Sequence, residues 1–141
     1  MAFTTRRTVA FSETDAAGLL HFARYAVWME DCEHAFLRSL GTSVHAQDAH
    51  GQRLFPRVSM TNTYKRPLRF EDTADITVVV RRRGTKSVTY AFSLRRTTDG
   101  EEVATGEVTA VCAREADGVV TGIPLPADLA AALDAHLEGP T

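Results

Sequence analysis

The chain has 141 residues, 44% hydrophobic and 24% charged, with a formal net charge of −2. That length supports one proper core and that balance is typical of a globular protein. The negative net charge argues against a nucleic-acid partner, and with no signal peptide or bilayer-spanning apolar run the expectation is one cytoplasmic domain over residues 1–141, off the membrane.

In chain order, "TRRTVAF" (5–11) predicts a short strand. "FSETDAAGLL" then places two acids and a glycine in a turn. From Phe22 to Leu40 the pattern turns helical, with Phe22, Tyr25, Ala26, Met29, Phe36, Leu37 and Leu40 on one stripe. Gly41 follows as a C-terminal stop. Strands come next. "LFPRVSMTNTY" (54–64) alternates through Val58, Met60, Asn62 and Tyr64. "TADITVVVRRR" (73–83) is rich in β-branched residues, and "KSVTYAFSLRR" (86–96) puts Val88, Tyr90, Phe92 and Leu94 on one face. Asp99-Gly100 is the strongest turn signal and leads into "EEVATGEVTAVCA" (101–113). "PLPADLAAALDAHL" predicts a short helix with Pro126 in its first turn. The order predicts an α+β domain: four strands in hairpin succession, with the long helix packed across the sheet as its core.

Asp15 lies a few residues before that helix. A helix N-terminus presents unpaired N–H groups and partial positive charge, which can hold an oxyanion developing on a carbonyl. A nearby carboxylate could attack that carbonyl or activate water against it, and Gly18 would let a ligand approach the backbone. These parts suit hydrolysis of an activated acyl group. A thioester is the natural candidate, because its thiol, with a pKa of about 8.5, leaves with little need of a general acid. The alternative is that Glu13 and Asp15 only shape a turn and favour the helix start.

"FSETDAAGLLHFARYAVWMEDCEHAFLRSLG" resembles the opening signature of hotdog-fold acyl-CoA thioesterases of the 4-hydroxybenzoyl-CoA thioesterase type. Asp15, Gly18, Tyr25 and Glu30 match without a gap, and weaker similarity runs down nearly the whole chain. The resemblance implies a five-stranded antiparallel sheet wrapped around the helix, homodimers or tetramers, and acyl-CoA hydrolysis with no metal or cofactor. It makes Asp15 the catalytic carboxylate and the backbone N–H of Phe22 the oxyanion donor, with Gly18 and Tyr25 at the site. The sequence departs from the pattern at Glu13, where Asp is usual, and at His21-Phe22, where many relatives carry an aromatic and then a histidine. His21 therefore either orients a water or lines the acyl pocket, or is simply a half-buried residue at the helix start.

Several further groups carry chemistry. Glu33 falls within the apolar stripe and calls for an arginine partner from a strand or a second subunit; with Glu30 it is the reserve catalytic carboxylate. "RRRGTKS" (81–87) suits the phosphates of coenzyme A, and the resemblance favours Arg83 and Lys86; the alternative is a solvated charge run that protects an edge. "YKRPLR" (64–69) is a second, weaker basic patch. His45, Asp48 and His50 are poorly spaced for a metal, and no serine sits in a G-x-S-x-G elbow. Cys32 and Cys112 lack a CxxC partner and read as reduced core residues. A carrier-protein thioesterase and a non-catalytic acyl-CoA-binding hotdog remain the alternatives.

Overall fold

The computed structural model describes residues 2–138. A five-stranded antiparallel sheet curves around one long helix, α1 (Phe22–Ser39). Its strands are β1 (Phe3–Thr8), β4 (Arg57–Tyr64), β5 (Thr73–Arg83), β6 (Ser87–Arg96) and β7 (Glu102–Val111), in the spatial order β1-β5-β6-β7-β4. A smaller sheet joins β2 (Ala46–Asp48), β3 (Gly51–Leu54), β8 (Ala113–Ala116) and β9 (Val119–Gly122), and α2 (Ala127–Asp134) closes the chain. This is the α+β hotdog arrangement expected above.

The pleat of β5 and β6 makes the core. Ile76, Val78 and Val80 face inward with Tyr90, Phe92 and Leu94, while Thr77, Val79 and Ser93 face out. Against that surface α1 lays Tyr25, Trp28, Met29, Cys32, Phe36 and Leu37, each at most 4% exposed. Truncating an aromatic buried like Trp28 typically costs about 3–5 kcal/mol. Gly106 on β7 lets the helix come close: a Cβ there would sit 2.5 Å from Met29 Sδ. The helix stops in a Schellman turn, with Gly41 at φ +83°, its N–H on Arg38 O and the Thr42 N–H on Leu37 O.

The structure corrects the expected elements in five places. The first strand ends at Thr8, and Phe11 opens a 3-10 turn with its ring 68% exposed. The helix stripe is rotated: Phe22 is 65% exposed, and Trp28 and Cys32 take the buried positions. Residues 54–64 are two strands, because Pro56 has no N–H to continue a ladder. Residues 101–113 are likewise split after Val111, where the chain leaves the main sheet for β8. The hairpin succession holds only for β5-β6-β7. Both edges of β5 are taken, by β1 and β6, so β4 pairs on the far side of β7. Val58, Met60 and Tyr64 of that edge strand are 59%, 41% and 46% exposed.

Candidate active site

The turn at Asp15 is built by its own side chain. Asp15 Oδ1 accepts the N–H groups of Ala17 at 2.9 Å and Leu19 at 3.1 Å, while Gly18 N–H donates to Asp15 O. Gly18 at φ +81° completes a three-residue hairpin loop, closed by Asp15 N–H on Leu19 O and a Thr14–Leu20 bridge. Turn-making therefore consumes one carboxylate oxygen. Asp15 Oδ2 has no hydrogen bond among the described residues.

From this hairpin the chain enters α1. His21 is the N-cap: its Nδ1 accepts the Ala23 N–H at 3.1 Å, and its carbonyl accepts the Arg24 N–H. That engages Nδ1 at the helix start; the ring stacks on Phe22 with centroids 4.8 Å apart and is not among the residues lining the cleft described below. Among the described residues the Phe22 N–H has no hydrogen-bond partner, and the first turn carries no acid to offset its positive end.

Asp15, Phe22 and Tyr25 line one cleft of about 350 Å³, together with Leu19, Tyr64 and Pro67. Tyr64 packs edge-on against Tyr25 with centroids 5.0 Å apart, and its hydroxyl donates to Phe22 O at 3.1 Å. Burial pushes the Tyr25 phenol above its ordinary pKa, against a backbone hydrogen bond with Leu68 that lowers it. Carboxylate, unpartnered helix N–H and apolar wall thus share one opening, which is the set needed to hold a carbonyl and deliver a nucleophile to it.

A family model for the thioesterase-like superfamily matches residues 9–133. The chain belongs to that superfamily. Over 66 residues this thioesterase is 36% identical to the Bacillus subtilis (strain 168) protein named Putative acyl-CoA thioesterase YneP, covering 47% of each chain, so the match spans about half the length of that relative. Its fold matches the 1,4-dihydroxy-2-naphthoyl-CoA thioesterase Slr0204 from Synechocystis, with a TM-score of 0.85 at 18% identity, over 95% of this chain and 96% of that one. The gentisyl-coenzyme A thioesterase BH1999 aligns with a TM-score of 0.75 at 26% identity, over 89% and 98%. The expectation of a hotdog thioesterase is met.

The other expected groups lie elsewhere in the thioesterase. Glu33 is 1% exposed and finds its arginine on β4: Arg57 Nη1 donates to Glu33 Oε2 at 2.8 Å, and Glu30 stands 3.6 Å from the same guanidinium. Burial pushes the Glu33 carboxyl above the usual range, against the opposing pull of Arg57. These two acids line a separate groove of about 220 Å³ with Ala26, Val27 and Met60, about two to three turns down α1 from Phe22. The basic hairpin is farther off. Arg69, bridged to Leu19 of the Asp15 hairpin, lies four residues before Thr73, which begins β5; Arg83 ends that strand ten steps of about 3.3 Å on, or roughly 33 Å. Arg83 donates two hydrogen bonds to Asp134, at 2.8 and 2.5 Å, while Arg81 and Arg82 face Glu107; Lys86 is exposed.

The weaker patch is the one at the cleft. Lys65 and Arg66 stand on its rim, in exposed ion pairs with Glu102 and Glu101. Tyr64 is the site residue that sequence reasoning did not single out; its place at the end of an alternating strand, directly before the basic "KRP", was the available signal. Asp48 is engaged by Arg114 at 2.8 Å and by the His50 N–H. No group of three or more His, Cys, Asp or Glu among the described residues is placed to hold a metal. Cys32 and Cys112 are buried thiols, with pKa values raised by burial.

Proposed function

We propose that this thioesterase hydrolyses acyl-CoA thioesters at the Asp15 cleft. The observation that carries the reading is the pairing of an uncommitted carboxylate oxygen with an unpartnered helix N–H in one opening. The thioester oxygen accepts the Phe22 N–H, so charge developing there meets the positive end of α1. Asp15 then acts in one of two ways. As a base it takes a proton from water, hydroxide adds to the carbonyl carbon, and the C–S bond breaks; the thiolate recovers the proton. As a nucleophile it forms a mixed anhydride with loss of thiolate, and water cleaves that anhydride. Tyr25 and Tyr64 form the apolar wall beside the acyl carbonyl, and Gly18 keeps the turn clear of the substrate.

The working unit in this reading is a homo-oligomer, a dimer or a tetramer, of single-domain chains in the cytoplasm. The edge strand β4 supports it, with its exposed Val58, Met60 and Tyr64 and one side unpaired among the described residues. So does the span from Arg83 to Asp15: the basic hairpin, with Arg83 and Lys86, would serve the phosphates of coenzyme A bound at another subunit's cleft. Among the described residues no helix is long and apolar enough to cross a membrane.

The decisive experiment is Asp15→Asn. Asn keeps the size and the turn hydrogen bonding but removes the anion. The expected result is a kcat lower by roughly 10²–10⁴ with an unchanged melting temperature; near-normal turnover across a panel of short, long and aryl acyl-CoAs would reduce Asp15 to a turn residue. Light scattering that gave a mass near 15.4 kDa at micromolar concentration, with activity retained, would remove the oligomer.

A further inference from the structure

The two acids of the opening turn are used in opposite ways. Asp15 is exposed with one oxygen open, whereas Glu13 is 7% exposed with both oxygens engaged. Glu13 Oε1 accepts the Ala10 N–H at 3.0 Å, and Oε2 accepts the indole N–H of Trp28 at 2.8 Å, with Arg7 Nη2 at 3.5 Å. The Arg7 guanidinium lies 5.4 Å over the Trp28 ring and is paired in turn with Asp31. Strand β1, the 3-10 turn and α1 therefore meet on one carboxylate. The Glu13 backbone continues the junction, because its carbonyl accepts the His21 N–H at 2.9 Å. The segment carrying Asp15 is thus held before the turn by Glu13 and after it by the N-cap of α1 and by its second arm, where the Leu20 N–H donates to Leu68 O at 2.7 Å beside a Leu19–Arg69 bridge.

We infer that Glu13 is a positioning residue for hydrolysis: its side chain, held by Trp28 and Arg7, sets where the Asp15 carboxylate stands relative to the Phe22 N–H. The inference rests on the proposed role of Asp15. The physical reason is leverage. Phe22 belongs to α1, which the core holds through Trp28, Met29 and Phe36 whatever the loop does. Asp15 belongs to an exposed hairpin whose own bonds fix its shape but not its attachment to the helix. Its anchor on the Asp15 arm of the turn is Glu13, two residues away, while the Leu19–Leu20 arm is held against Leu68 and Arg69. A hairpin released at that point keeps its turn and its carboxylate while losing alignment with the helix terminus. Alignment is worth much here, since a displacement of about 1 Å can cost a factor on the order of 10² in rate.

The test is a double-mutant cycle on hydrolysis of hexanoyl-CoA and benzoyl-CoA, followed by thiol release, with melting temperatures recorded throughout. Glu13→Gln keeps the volume but presents an amide N–H₂ where an acceptor is required. It should lower kcat roughly 10–100-fold with KM changed less than about twofold, because binding contacts are untouched. In an Asp15→Asn background the same substitution should cost less than about twofold more, since the group it aligns is already gone. Full multiplication of the two losses, or a Glu13→Gln protein with normal kcat, would overturn the inference while leaving the role of Asp15 standing. A fully active Asp15→Asn protein would overturn the role of Asp15, and the inference with it. Should Glu13→Gln not fold, Trp28→Phe removes the indole N–H together with part of the buried ring, at a cost in stability that the melts record, and the folded variant must show the same kcat loss and the same non-additivity. A normal kcat in that variant would overturn the inference equally.

Discussion

The Tyr64 hydroxyl donates to the Phe22 carbonyl at 3.1 Å, tying the end of edge strand β4 to the first residue of α1. A second contact steadies the phenol, as Asn62 Nδ2 donates to the Tyr64 oxygen at 3.3 Å. The helix terminus that carries the proposed oxyanion donor is thereby located by a strand far away in sequence. Replacing Tyr64 with Phe keeps the ring against Tyr25 and removes the bond. The expected stability loss is about 0.5–1.5 kcal/mol, the usual net worth of one hydrogen bond. In kinetics kcat should fall by up to about tenfold, within the cost of small misalignment. Thermal melts and steady-state kinetics check both, and an unchanged kcat would free the oxyanion donor from this tether.

His21 separates capping from catalysis. Because its Nδ1 accepts the Ala23 N–H, His21→Asn should retain the melting temperature and most of kcat, while His21→Ala should lose about 1 kcal/mol. If His21→Asn instead abolished turnover in a folded protein, the imidazole would belong to the chemistry.

The two basic patches make opposed expectations. Replacing Arg83 and Lys86 together with Ala should raise KM for acyl-CoA with little change in kcat, as contacts alike in ground and transition states do. The effect should shrink for a truncated pantetheine thioester, which lacks the nucleotide phosphates. Lys65→Ala with Arg66→Ala, at the rim of the cleft, is the comparison. A KM rise confined to this second pair would move the phosphate site to the cleft's own subunit.

The Glu33–Arg57 pair predicts a pH dependence. Burial raises the Glu33 carboxyl above its unfolded pKa, and Arg57 opposes that rise. A carboxyl whose folded pKa is raised contributes most below its unfolded pKa and loses that contribution as pH climbs through the folded value. Arg57→Ala removes the opposing cation, so the window of loss widens upward. The variant should be destabilised at every pH, with the deficit growing as pH rises above the ordinary carboxylate range, toward the roughly 3–5 kcal/mol typical of a broken buried pair, discounted because Arg57 is 30% exposed. Urea melts across that rise in pH measure it, and a pH-independent deficit would contradict the assignment.

What the sequence determined by itself is whatever rests on local chemistry. The helix from Phe22 was readable because apolar residues recur at its period and Gly41 supplies the positive φ of its stop. The strands β5 and β6 were readable because period-2 alternation matches a half-buried sheet, and Asp15 stood out because an acid before a helix start has few chemical meanings. Even the arginine needed by Glu33 could be demanded in advance, since a carboxylate at that position on the stripe must be paired. Its identity could not. Tertiary structure decided the rest, because each remaining feature depends on which distant residues meet. Pairing β4 with β7 rather than β5 required that both edges of β5 already be occupied. That placement brought Tyr64 to Phe22 and "YKRPLR" to the cleft, and set Arg57 on Glu33. It also put the stronger basic hairpin at the opposite end of the sheet from Asp15. Period and composition report which face of an element is buried; they carry no term for the order in which strands lie side by side, and it is that order which assembled the cleft.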